Sequence, residues 1–182
     1  MRSSLVTALA LTASLAVTAA AQAGNPTAPA PRTQSDYYVP LFGVTAGIAI
    51  PVGRLSDDHA AGYALGGTVE YAVSGQPYSL RGEAFYQRFA LKEGHAGSDM
   101  NLLSLGTTIV YRLMQSSTQT FVSGGIAIYN GTHEGTRPGF NAGGGVEIPL
   151  TGFSAVAEAR FHVMLADGRP IMTLPLTVGV RF

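Results

Sequence analysis

Eight ionisable side chains recur at alternate positions along this chain: Glu70, Glu83, Glu147 and Glu158 against Arg81, Arg112, Arg160 and Arg181. Four acids and four bases make a neutral set. Carboxylates and guanidiniums on one shared face could line a pore, act as acid and base in catalysis, or neutralise one another where water is scarce. Unpaired charge in a low-dielectric interior is costly, so a structural ion network is the expected reading. Glu158 has Arg81, Arg112, Arg160 and Arg181 as candidate partners, and the residues alone leave the pairing open. His162 shares the face of Glu158 and Arg160. A nucleophilic role would need a hydroxyl within reach of its imidazole; a packed polar histidine is the expectation.

The other histidines, His59, His95 and His133, fall in three different polar segments, accompanied by Asp57, Asp58, Asp99 and Glu134. Gathered at one rim they could hold a divalent cation, but no spacing among them is diagnostic, and solvated loops are the plainer reading. The chain has no Cys, which excludes disulfides, thiol chemistry and Cys-ligated metals. Its Gly-rich stretches at 66–67, 124–125 and 143–145 have no following helix and no Lys, so they are not phosphate loops. No metal or other cofactor is called for. With 11 basic and 11 acidic residues there is no positive field, so nucleic acid is not an expected partner.

The elements that carry these residues alternate with period two. Eight strands are predicted: Phe42–Ile50, Tyr63–Val73, Tyr78–Phe89, Leu102–Met114, Thr120–Tyr129, Phe140–Pro149, Phe153–Leu165 and Met172–Phe182. No helix is predicted between them. One face of each strand is apolar; the other is small or polar and bears the charges. A soluble sandwich would turn the apolar face inward, whereas a transmembrane barrel turns it outward. Three features favour the barrel. The chain has one lysine, Lys92, too few for a wetted sheet face. Small residues mixed with Glu and Arg suit the narrow interior of an eight-stranded barrel. Charged connections at 51–62, 92–101, 130–139 and 166–171 alternate with short uncharged ones at 74–77, 115–119 and 150–152, the loop-and-turn asymmetry of membrane barrels.

Aromatics gather at strand ends. Tyr37, Tyr38, Phe42, Tyr71, Tyr78, Tyr111, Phe121, Phe153 and Phe182 lie toward the turns, and Tyr63, Tyr86, Phe89, Tyr129, Phe140 and Phe161 toward the loops. Two interfacial belts are therefore expected. Residues 1–23 read as a cleaved secretory signal, with Arg2, an apolar stretch from Leu5 to Ala21, and the Ala21-Gln22-Ala23 cleavage pattern. Residues 24–36 form a Pro/Ala-rich periplasmic linker and 37–182 the barrel.

The stretch from Tyr37 to Phe182 resembles the small eight-stranded outer-membrane β-barrel family, the OmpA/OmpX-like proteins. Its most specific piece is the terminal strand, Leu174, Leu176, Val178, Val180 and Phe182, which is similar to the assembly signal read by the barrel-insertion machinery. Gly143 to Leu150 followed by Ala157 to Phe161 is similar to the family's late hairpin. Pro175 departs from the pattern and predicts a bulge or a ladder break. The resemblance implies an all-β, eight-stranded antiparallel up-and-down transmembrane barrel with both termini periplasmic. It also implies contact with outer-membrane lipids and lipopolysaccharide, and a monomer. Lipid A deacylases of this fold carry a Ser near a late-strand His; here the position two after His162 is Met164. A structural or surface-interaction role, not an enzyme, is the expectation. The alternatives are a narrow channel for small solutes (a porin-like role), a lipid-modifying enzyme and a soluble periplasmic β-protein.

Overall fold

The structure, a computed structural model, describes residues 40–73, 75–113, 118–132 and 134–182. The expected signal and linker, Tyr37, Tyr38, Met114 and His133 lie outside the described residues.

Eight strands follow in order: β1 (Leu41–Val52), β2 (Gly62–Ala72), β3 (Tyr78–Phe89), β4 (Met100–Arg112), β5 (Gln119–Gly131), β6 (Gly135–Pro149), β7 (Ser154–Met164) and β8 (Ile171–Arg181). Each pairs antiparallel with the next, and β8 pairs with β1, closing the barrel. At the seam the Phe42 amide donates to the Phe182 carbonyl and the Phe182 amide to the Phe42 carbonyl, both at 2.9 Å. Closure removes every sheet edge, so all ladder groups can be paired within the wall.

The period-two pattern sorts the side chains as the barrel reading requires. On β3 burial switches residue by residue, with Ser79, Arg81, Glu83, Phe85, Gln87 and Phe89 inward. The outside is apolar: Ile126 is 73% exposed, Val178 66% and Leu105 59%. The terminal-strand set Leu174, Leu176, Val178, Val180 and Phe182 lies on this outer wall, alternating with buried Thr173, Pro175, Thr177 and Arg181. A soluble protein does not leave such a band in water.

The structure differs from expectation in three places, and in a fourth it decides between the two expected alternatives. First, β5 and β6 run on through Asn130↔Thr136, Tyr129↔Arg137 and Ile128↔Pro138, so most of the segment expected as a loop at 130–139 is hairpin. Pro138 is tolerated because its carbonyl accepts from the Leu165 amide at 2.9 Å, just past the end of β7. Its missing N–H falls on that same side, where no ladder partner is required. Second, the first loop contains one helical turn, α1 (Leu55–Asp58). It is started by Gly53 at φ 60 and by the Ser56 hydroxyl donating to the Gly53 carbonyl at 2.6 Å.

Third, the interior is not uniformly small and polar. Leu55, Phe85, Phe89, Met100, Leu102, Tyr129 and Met164 form an apolar plug at the loop end, and Val110, Phe121 and Val156 a smaller cluster at the turn end. Phe89, Phe121 and Tyr129, expected in the outer belts, point inward instead. Their parity decides it: Phe89 alternates in step with Arg81 and Glu83, and Phe121 and Tyr129 with Ser123. Inward glycines make room for the rings. A Cβ at Gly66 would lie 2.5 Å from the Phe85 ring, and one at Gly145 2.7 Å from that of Phe121.

Fourth, Pro175 breaks the ladder without a bulge. The β7–β8 register is the same on both sides of the break, Ala159↔Leu176 and His162↔Thr173, while Arg160 and Phe161 have no paired partners on β8. One absent N–H accounts for both missing pairs, because the Arg160–Pro175 bond would have framed each of them. On its other side β8 pairs with β1 without interruption, through Ala49↔Pro175.

Ile126 sits near the middle of β5 on the outer wall. Ile126→Arg is expected to lower the unfolding free energy of the lipid-refolded barrel by about 2–4 kcal/mol, read from urea titrations. An unchanged midpoint would mean that this face meets water.

Candidate functional site

The eight inward charges form one connected network. Arg160 pairs with Glu83 and, through Nη2 at 2.7 Å, with Glu158. Arg81 Nη1 lies 3.2 Å from Glu158, and its Nε 3.0 Å from Glu70. Glu70 also takes Arg112 Nη2 at 2.5 Å and Arg181 Nη1 at 3.4 Å. Arg181 and Arg112 then reach Glu147 at 2.8 and 3.8 Å. Of the partners left open for Glu158, Arg81 and Arg160 make the contact.

The residues come from β2, β3, β4, β6, β7 and β8, so the network ties opposite walls together. Neutral side chains saturate the carboxylates. The Ser79 hydroxyl donates to Glu70 at 2.5 Å, Ser123 to Glu158 at 3.0 Å and Thr108 to Glu83 at 3.2 Å. The Asn141 amide adds a bond to Glu83 at 3.3 Å. Below, the Phe121 ring faces two guanidiniums, Arg81 Cζ at 5.5 Å and Arg181 Cζ at 5.4 Å from its centroid, a cation–π arrangement that replaces part of their lost hydration. Above, His162 stacks on Phe85 with centroids 5.3 Å apart, and its Nδ1 shares a hydrogen bond of 3.1 Å with the Tyr129 hydroxyl.

The serine, threonine and asparagine supports and the inward rings carry no charge, so charge alone does not reveal them. Parity with a charged position on the same strand marks Ser79 and Phe85 on β3, Thr108 on β4 and Asn141 on β6, whereas β5, which holds Phe121, Ser123 and Tyr129, carries no charge to count from.

The rim residues are held in pairs, not gathered. Asp57 and Asp58 lie on α1. The Lys92 ammonium donates to the Ser56 carbonyl at 2.7 Å, strapping the second loop to the first. Asp99 accepts from the Leu91 amide and from Arg88, each at 3.0 Å, and these bonds, the amide first, hold its carboxyl below the ordinary range. His59 Nε2 lies 3.3 Å from the Ser98 carbonyl, His95 Nδ1 3.3 Å from that of Glu93, and the Glu134 carbonyl accepts from Arg137, also at 3.3 Å. Among the described residues no three His, Asp or Glu side chains come together as a metal site would need.

No protein-family model and no curated protein sequence matches the chain. Solved structures match its fold. Neisserial surface protein A superposes with a TM-score of 0.62 at 19% identity, covering 78% of this chain and 95% of that one. The Yersinia pestis outer membrane protein Ail, in a phospholipid nanodisc, gives 0.53 at 15%, covering 79% and 100%. The outer membrane enzyme PagL gives 0.52 at 14%, covering 79% and 99%. The fold is thus that of the small eight-stranded outer-membrane barrels, an architecture that hosts more than one kind of activity.

Glu70 joins three guanidiniums. Glu70→Ala is expected to destabilise the refolded barrel by about 3–5 kcal/mol, because it strands buried positive charge. Asp167→Ala, which removes only the exposed partner of Arg137, is expected to leave the urea midpoint nearly unchanged.

Proposed function

We propose that the protein is an integral outer-membrane barrel with a structural or surface-interaction role, presenting its charged loops outside the cell and its short turns to the periplasm. The observation that carries this reading is the filled interior. A neutral ion network, covered at the loop end by an apolar plug and packed around Phe121 toward the turns, fills the barrel and braces its wall, leaving little room for a solute. The outward apolar band supports residence in a bilayer, with the membrane's lipids and lipopolysaccharide as its surroundings. The outer face of β8 supports recognition by the insertion machinery. A closed wall with no free edge supports a monomer.

The channel reading is disfavoured by this packing, and the lipid-modifying reading by His162. That imidazole lies inside the wall against Phe85 and Tyr129, and no serine hydroxyl is bonded to it among the described residues. Specificity for a partner would then reside in the loops, whose backbone is ordered by bonds such as Lys92 N–H to Asp58 C=O at 2.9 Å and Thr132 N–H to Asn101 C=O at 3.0 Å.

Two measurements test the reading. The mature chain refolded in detergent is expected to migrate differently on SDS gels before and after boiling, as a closed barrel resists SDS until heated; identical migration, with solubility once detergent is removed, would overturn the membrane assignment. The same material in planar bilayers is expected to show no single-channel current above background. Reproducible discrete openings would replace the structural role with a channel.

A further inference from the structure

Arg81 Nη2 and His162 Nε2 are among the buried inward polar atoms that lack hydrogen-bond partners, as are the Gln87 amide and Thr173 Oγ1. Arg81 and His162 are 0% and 2% exposed. Both residues line one small internal cavity of about 10 Å3, together with Glu158, Arg160, Pro175 and Thr177. The wall is broken at the same place, since Pro175 cannot donate to the Arg160 carbonyl. Two residues with unpartnered buried nitrogens therefore line a shared space, at the level where the β7–β8 ladder is interrupted.

We infer that this cavity is a binding site for a single water molecule, which accepts from Arg81 Nη2 and bridges to His162 Nε2. The volume suits it, since about 10–15 Å3 is the room one water needs, and a buried water is held by 2–4 polar partners. The lining contains donors and acceptors together, Arg81 and Arg160 beside the Glu158 carboxylate, which suits a neutral molecule that both donates and accepts. An anion would face that carboxylate. Both tautomers of His162 are served, because water can accept from Nε2–H or donate to Nε2. The bridge joins the Tyr129–His162 pair to the eight-charge network. The polar groups from Glu147 up to Tyr129 then act as one hydrogen-bonded unit, and the plug rests on the network instead of standing apart from it.

The test uses the refolded full barrel in lipid nanodiscs, with isotopically labelled arginine and histidine. Magnetisation transfer from a long-lived water to the Arg81 guanidinium and the His162 ring is expected. The transfer is expected to persist when chloride is replaced by gluconate, and to vanish in Thr177→Leu, whose larger apolar side chain fills the cavity. The unboiled gel shift confirms that this variant is folded. Absence of transfer in the folded wild type would overturn the site, whether or not the variant folds. Arginine resonances that move with chloride and lose the water signal would overturn it in favour of an anion.

Discussion

The constraint on which this structure depends is charge balance inside a closed wall. An eight-stranded barrel has an interior too narrow for bulk water, and here it carries eight Glu and Arg charges. Each charge removed from water costs several kcal/mol, and only close, well-bonded counter-charges offset that. The chain meets the condition collectively. Glu70 is shared by Arg81, Arg112 and Arg181, Glu158 by Arg81 and Arg160, and Glu147 by Arg112 and Arg181. Because partners are shared, no pair can be deleted on its own. The positions of Ser79, Ser123, Thr108 and Asn141 follow from the same condition, since a carboxylate has more lone pairs than one guanidinium can satisfy.

The apolar ends serve this centre. Phe89, Met100, Leu102 and Met164, with Leu55 inserted from α1, separate the network from the loop side, while toward the turns Phe121 and Val110 pack among the charges, with Arg112 level with Phe121. Low dielectric strengthens every ion pair between them. The strapped loops extend this insulation outward, since Lys92 holds α1, and with it Leu55, over the mouth.

Much of the architecture was legible in the residues. Period-two alternation located eight strands, and the scarcity of lysine, with charges confined to one parity, oriented the faces correctly. All eight inward charges were identifiable, because glutamate and arginine stand out among glycine, serine and threonine. The pairing was not, since it depends on which strands face each other across the barrel, and alternation says nothing about that. Parity, not position along a strand, places the inward rings: Phe89 shares it with Arg81 and Glu83, and Phe121 and Tyr129 share it with Ser123. Gly, Pro and Asn at 130–139 look like turn chemistry, yet most of that segment is hairpin, which accepts Pro138 where its nitrogen points past the neighbouring strand. Pro175 signalled a break, but only the register on both sides shows that no residue was added.

The seam between β1 and β8 bears on how the molecule comes to exist. Seven of the eight strand pairings join neighbours in sequence and need only a hairpin to form. The eighth joins Gly43 to Arg181 and spans the whole barrel. It is the longest single closure of the fold, and its sequence separation raises the topological barrier. Until it forms, β1 and β8 are open edges and Arg181 has not been delivered to Glu70 and Glu147. Sealing the wall and neutralising the interior are thus one event, which gives a half-assembled barrel little stability of its own and makes insertion cooperative.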